Sequence, residues 1–422
     1  MSVQNNDAPC VLIIAPHGSY RTFAFIQAAE KLAVNTLIAS EGKHSVISAY
    51  AKGIHLDFTQ PEQLYTQLET AVSEHNLLGV IATDDYTTEL AAKIAQKRGL
   101  PHNDPEAVLL TQRKDLARQR LESHSVAKPD HWRIDLESEL EPQLQAIRYP
   151  AVLKPIALSG SRGVIRTNNQ QELIQAIERV SGLLGSMYDI SADAQRYLLV
   201  EEYIHGDEVA VEAMLYAGEL SVLTIFDKPE PLEGPFFEES YYIMPSGLSE
   251  PMQQTIQTVL QQACDAYGLT EGPIHAECRL RDGQVYIIEV AARTIGGLCG
   301  RLLNVGTGYS LEEIVLQHAM GRPLTIKPQQ QAAGVLMIPI PQAGVLKRVE
   351  GMLAAQAVAH IEEINIQIRE GHELVPLPDG ASYLGFIFAY ADTTSEVEQA
   401  LRTAHEHLTF VIAPIWKLTK VS

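Results

Sequence analysis

The sequence predicts a mixed α/β and α+β protein in three parts: a doubly wound α/β domain, a two-lobed core built from hairpins, and a β-rich lobe. Three observations lead there. Apolar strand patterns alternate with helical patterns over the first hundred residues, acid-bearing hairpin patterns fill the middle, and strand patterns return near the end. At 422 residues, 46% of them hydrophobic, the chain can build two or three domains with sizeable cores.

The first part begins at residues 10–15, CVLIIA, an unbroken apolar run suited to a buried parallel strand. Pro16, His17, Gly18 and Ser19 follow as a turn, at the carboxyl end of that strand where a pocket would also form. A helical pattern runs over residues 21–33, strands are expected at 35–39 and 77–83, and a helix at 87–98 stops at Gly99. The first turn lacks GxGxxG, so dinucleotide binding is not indicated.

Composition narrows the partners. A formal charge of -20 argues against nucleic acid or an anionic membrane, so an anionic substrate needs a local cluster of donors. No stretch reaches the roughly 18 to 20 apolar residues of a membrane span, and MSVQNNDAPC has no basic region before an apolar run. A cytoplasmic protein is expected. Cys10, Cys264, Cys278 and Cys299 have no CxxC spacing, so neither a zinc site nor a disulfide framework is indicated.

Residues 272–297, GPIHAECRLRDGQVYIIEVAARTIGG, carry the strongest chemical signal. His275, Glu277 and Arg279 alternate with apolar residues in the period of a half-buried strand, and a second strand follows at 285–290. A three-residue loop of Asp282, Gly283 and Gln284 sets Glu277 directly opposite Glu289, with Cβ atoms roughly 5 Å apart. Two carboxylates so placed destabilise a sheet unless a cation or proton lies between them, and oxygen ligands in small number suit Mg²⁺ on phosphates.

Three weaker signals precede this hairpin. Lys114 lies on a basic helix, TQRKDLARQRLESH. Residues 150–155 form a strand containing Lys154, and Leu158-Ser159-Gly160-Ser161-Arg162-Gly163 is a Gly/Ser loop before the next strand. Its backbone and hydroxyls suit phosphates, and an ordinary mobile turn fits the same residues equally well; the P-loop pattern is absent. Residues 197–212, YLLVEEYIHGDEVAVE, give a strand into Glu201, Glu202, Tyr203 and Ile204, a turn, and a strand opened by Glu208.

Lys114, Lys154 with its Gly/Ser loop, the Glu201–Ile204 linker with Glu208, and Glu277 and Glu289 with Arg293 stand in an order that resembles the ATP-grasp superfamily. Within it the chain looks like the carboxylate–amine ligases, particularly the L-amino acid (dipeptide) ligases. The resemblance implies an N-terminal Rossmann-like α/β domain (1–111), a two-lobed ATP-grasp core (112–327) and a C-terminal β-rich lobe completing the ligase (328–422). It implies that Lys114 and Lys154 contact ATP phosphates, that Ser159, Gly160, Ser161 and Gly163 cover them, that Glu201, Glu202 and Ile204 line the adenine slot, and that Glu208 meets the ribose. Glu277 and Glu289 would ligate Mg²⁺, or Mn²⁺ in its place. Many relatives have Asn two residues after the second glutamate, where this chain has Ala291, leaving one metal site poorer in ligands.

The implied reaction phosphorylates a substrate carboxylate, and an amine then attacks the acyl phosphate. Arg293 would stabilise that intermediate, and Lys228, within residues 227–231, is a candidate catalytic residue on a lid. In residues 234–245, GPFFEESYYIMP, Glu239 fits the family's acid, but Tyr242 stands where a His is common; His275 is a candidate substitute. Glu239, Tyr242 and Gly296 are the candidate substrate-binding residues. The partners implied are a small-molecule carboxylate and amine, with a homodimer common among relatives. Another ATP-grasp ligase, carboxylase-like or of nucleotide biosynthesis, and a non-catalytic ATP- or amino-acid-binding regulator remain alternatives.

Overall fold

The computed structural model describes residues 8–16, 19–41, 52–58, 60–187, 190–322, 324, 326 and 331–415. The expected doubly wound beginning is present. Strands β1 (Cys10–Ile14), β2 (Asn35–Ser40), β3 (Lys52–His55) and β4 (Leu77–Ala82) form a parallel sheet in the order β3-β2-β1-β4. Every residue of β1 is buried, as its unbroken apolar run requires of a strand covered on both faces. Helix Arg21–Lys31 starts where its pattern does, and helix Asp85–Arg98 ends on Gly99, whose φ of 64° closes it in the left-handed conformation. His17 and Gly18 of the expected turn lie outside the described residues.

The basic segment divides into helices Pro105–Gln112 and Lys114–Ser123, with extended Arg113 between them. A four-stranded antiparallel lobe follows: β5 (His131–Asp135), β6 (Ala151–Pro155), β7 (Ile165–Thr167) and β8 (Tyr197–Glu202), in the order β5-β8-β6-β7. Helix Gln170–Gly185 covers it with Leu173, Ile177 and Val180 against Leu153, Leu198 and Val200.

The largest element is an eight-stranded sheet. Its first five strands are β9 (Asp207–Tyr216), β10 (Glu219–Asp227), β11 (Tyr241–Met244), β12 (Gly272–Arg281) and β13 (Gln284–Ala291). From the C-terminal part come β14 (Ala332–Ile338), β16 (Ile361–Ile366) and β18 (Gly385–Ala391), giving the order β13-β12-β9-β10-β11-β14-β18-β16. Strands β15 (Gly344–Glu350), β17 (Glu373–Leu374) and β19 (Thr409–Ala413) form a small separate sheet. β11 pairs with β14, so one sheet runs through both the core and the C-terminal part. The expected edge at 327/328 falls outside the described residues.

Helix Glu250–Tyr267 buries Ile256, Leu260 and Cys264 against one face of this sheet. On the opposite face Ala210, Met214, Phe226 and Tyr242 pack with Phe25, Ile26 and Ile314, and the charged side chains gather on that face where it meets the β5–β8 lobe. All four cysteines are free and buried. No helix among the described residues is long and apolar enough to cross a membrane.

Candidate active site

Three adjacent strands build the site in rungs. Across β9, β12 and β13, Glu208 faces Arg279 and Tyr286, Ala210 faces Glu277 and Glu289, and Glu212 faces His275 and Ala291. Directly opposed residues share a face, so strand alternation sends this chemistry to one side. Glu277 opposes Glu289 as expected, but not through a three-residue loop. Asp282 and Gly283, with φ of 54° and 77°, make a two-residue turn, and Arg281 pairs with Gln284. That backbone matches strand twist, which is why Asp-Gly favours it. A bulge at Ile288 then restores the glutamate pairing, since Cys278 pairs with Ile287 and Glu277 with Glu289.

Each carboxylate is neutralised by a cation from another part of the chain. Lys114 Nζ lies 3.1 Å from Glu289 and donates to the Leu158 carbonyl at 2.8 Å. Burial would raise the Glu289 carboxyl, but Lys114 and Arg293 together leave the net shift downward. Lys228 is the hub of the second cluster. Its side chain, 3% exposed, reaches Glu208 at 2.8 Å, Glu277 at 3.6 Å, and Glu239. Burial opposes its charge, yet the three carboxylates raise its affinity for a proton well above the usual lysine range. This lysine is therefore a fixed internal cation rather than part of a free lid; Asp227 beside it accepts from Ser246 Oγ and the Gly247 amide.

Glu208, Glu239 and Glu277 each offer an oxygen within 4.8 Å of the others, whereas the expected metal pair was Glu277 with Glu289. Burial and the adjacent Glu277 push the Glu239 carboxyl up to about 7. Tyr242, buried, donates to Glu239 at 2.7 Å. Glu208 also accepts from Arg279 Nε at 2.8 Å, so its carboxylate, expected at the ribose, is taken up by two cations.

Glu201 lies at the base of the cleft with 1% exposure. It bridges Arg118 Nε at 2.7 Å and Lys154 Nζ at 2.6 Å. Burial would raise its carboxyl, but Arg118 and Lys154 hold it at about 2. Glu202 instead pairs with Arg281 at 2.9 Å, and the Ile204 carbonyl accepts from Arg279 at 3.1 Å.

A cleft of roughly 670 Å³ unites Lys114, Lys154, Ser159, Gly160, Ser161, Glu201, Glu202, Ile204, Glu208, Glu239, Glu277 and Glu289. Its apolar walls include Val152, Leu232, Phe237 and Ile288, with Tyr203 stacked under Arg166 at 4.3 Å. An apolar slot leading to lysines and carboxylates fits a purine nucleotide and a divalent cation by its donor chemistry. Lys228, Tyr242 and His275 adjoin the cleft through its carboxylates. Gly163 does not open onto it, since its amide donates to the Pro378 carbonyl at 2.9 Å. Gly296 lies apart too, near Tyr20 and Arg21 of the N-terminal domain.

Arg293 is held by that domain: its Nε donates to Asp85, the first residue of helix Asp85–Arg98, at 2.8 Å. Against the penalty of burial, Arg293 keeps the Asp85 carboxyl below its ordinary value. His275 Nε2 is 3.8 Å from Glu277, and its Nδ1 is 3.4 Å from Glu212 without hydrogen-bond alignment. Glu212, fully buried, accepts from the Ile295 amide at 3.2 and 3.1 Å. Sequence reasoning missed Asp85, Arg118, Glu212, Tyr20 and Arg21. Arg118 had a usable signal, four residues after Lys114 and so on the same helix face; the others are brought in from distant segments.

Residues 147–301 match the ATP-grasp domain family, and residues 336–413 match the L-amino acid ligase C-terminal domain 2 family. A crystal structure of L-amino acid ligase from Bacillus licheniformis superposes with a TM-score of 0.83 at 25% identity, covering 96% of this chain and 98% of that one. The L-arginine-specific L-amino acid ligase of Bacillus subtilis is 21% identical over 72% of this chain and 74% of its own. Human Carnosine synthase 1 is 23% identical over 68% of this chain, which spans 36% of that protein. The chain therefore contains an ATP-grasp domain followed by an L-amino acid ligase C-terminal domain.

Proposed function

We propose that this protein uses ATP to join the carboxylate of one amino acid to the amine of another through an acyl phosphate. The observation that carries the reading is Glu277 facing Glu289 across β12 and β13, with Lys114 and Lys228 reaching them from two other segments and Arg293 following β13, held by Asp85. Mg²⁺, with Mn²⁺ as the alternative, suits Glu277 and Glu289, and when bound neutralises charge on the transferring phosphoryl group. Lys114 and Lys154 serve the phosphates, and residues 159–161 cover them. A substrate carboxylate oxygen attacks the γ-phosphorus, ADP leaves, and the amine nitrogen then attacks the acyl carbon. The acyl C–O bond breaks, phosphate departs, and the amine loses its proton. Arg293 supplies a fixed cation for that developing charge in this reading. In this reading Glu239 takes a substrate ammonium, with Tyr242, which donates to it, fixing its orientation rather than supplying a base. His275 stands between Glu212 and Glu277, 3.4 and 3.8 Å away, without hydrogen-bond alignment to Glu212.

The test is phosphate release from ATP and Mg²⁺ across pairs of amino acids. The expected result is release with a subset of pairs and a matching dipeptide product; ATP binding with silence for every pair would sink the ligase reading.

A further inference from the structure

A second cavity, of about 1020 Å³, lies between helix Arg21–Lys31 and helix Leu311–Ala319. One wall is Thr294 and Ile295, the backbone following Arg293. It meets none of the residues lining the nucleotide cleft. Arg21 lines the cavity. Both of its hydrogen bonds, to the Thr83 carbonyl at 3.0 Å and Asp84 at 2.8 Å, leave from Nη1. Its Nε is buried without a partner, an arrangement costly for a guanidinium unless an acceptor is bound there part of the time. The adjoining loop is shaped to leave this group reachable. A Cβ at Gly296 would come within 3.2 Å of Arg21 Nη2 and 3.5 Å of the Tyr20 hydroxyl, and Tyr20 pins the loop by accepting from the Gly297 amide at 2.8 Å.

The far part of the cavity is polar. Gln27 and Asn304 line it with Glu312, whose carboxyl is raised by burial. We infer that this cavity is the subsite of the amine-donating substrate, an α-amino acid whose carboxylate is clamped by Arg21 and whose side chain runs along helix Arg21–Lys31 toward Glu312. In that pose the amino group points back past Thr294 toward Arg293, where an acyl group would be attacked. The inference rests on the proposed ligase reading and adds which face of the 293–297 loop the nucleophile uses. A guanidinium binds a planar carboxylate through paired N–H groups, so the α-carboxylate is recognised by charge and shape together.

Calorimetric titration, with a non-hydrolysable ATP analogue bound, tests this without needing turnover. The probes are the twenty proteinogenic amino acids and their α-amides. The wild type should bind at least one amino acid about tenfold or more tightly than its amide, as loss of a charge-assisted hydrogen bond implies. Arg21→Met should abolish that preference, with Arg21→Lys keeping part of it. Ala24→Trp, which fills the cavity from a half-buried position, should weaken the acid and the amide alike while the analogue's affinity stays the same. No amino acid binding to the wild type, an undiminished preference in Arg21→Met, or unaltered binding in Ala24→Trp would each overturn the inference. Intact binding without phosphate release for any pair would instead count against the ligase reading alone.

Discussion

Glu201→Gln isolates the buried network under the nucleotide cleft. The substitution keeps the shape of the side chain but removes the charge shared by Arg118 and Lys154. The carboxyl sits at about 2 in the folded chain against an ordinary 4.5; at about 1.36 kcal/mol for each tenfold change in proton affinity, that gap amounts to roughly 3 kcal/mol of folding stability. At 1% exposure no solvent screening reduces this. The sign follows from a depressed folded value: the contribution is complete above about 4.5 and lost as pH falls through about 2. Urea unfolding of both proteins at pH 7 should differ by roughly 3 kcal/mol, and at pH 3 by about half as much. The variant should also raise the KM for ATP, because Lys154 loses the carboxylate that orients it. An equal stability difference at the two pH values would refute the argument, since the loss would then come from shape and not from charge.

Other perturbations address the remaining parts of the site. Glu289→Gln should abolish phosphate release while circular dichroism and the melting temperature stay near wild type; undiminished turnover would remove the metal assignment. Asp85→Asn frees Arg293 from its partner, so kcat should fall by roughly tenfold to a hundredfold with the KM for ATP unchanged, the pattern of a group acting on the transition state. Tyr242→Phe removes the hydroxyl that orients Glu239 and should cost about 1 to 3 kcal/mol in unfolding experiments by leaving that buried oxygen short of a donor. Asp379→Ala breaks the bidentate pair with Arg179, both side chains being nearly half exposed; stability should change by less than about 1 kcal/mol, while hydrogen exchange in residues 159–163 speeds up because the segment docking the Gly/Ser loop is loosened.

The sequence by itself determined much of this protein. The strand runs at 10–15, 197–202 and 272–291 declare themselves by composition and alternation, and the pairing of Glu277 with Glu289 follows from strand period and a short turn. The order of Lys114, Lys154, Glu201, Glu277, Glu289 and Arg293 was enough to give the superfamily. The route to the glutamate pairing was not legible, because a two-residue turn with a bulge at Ile288 and a three-residue loop without one give the same register. Only the tertiary structure decided which charges meet. Lys228 comes from the end of β10, Arg118 from a helix and Asp85 from the N-terminal domain, and the shared sheet depends on β11 meeting β14 about ninety residues later. Local pattern fixes the face a residue takes on its own strand. Which cation lies opposite a carboxylate depends on how separate segments pack, and no periodicity within one segment carries that information.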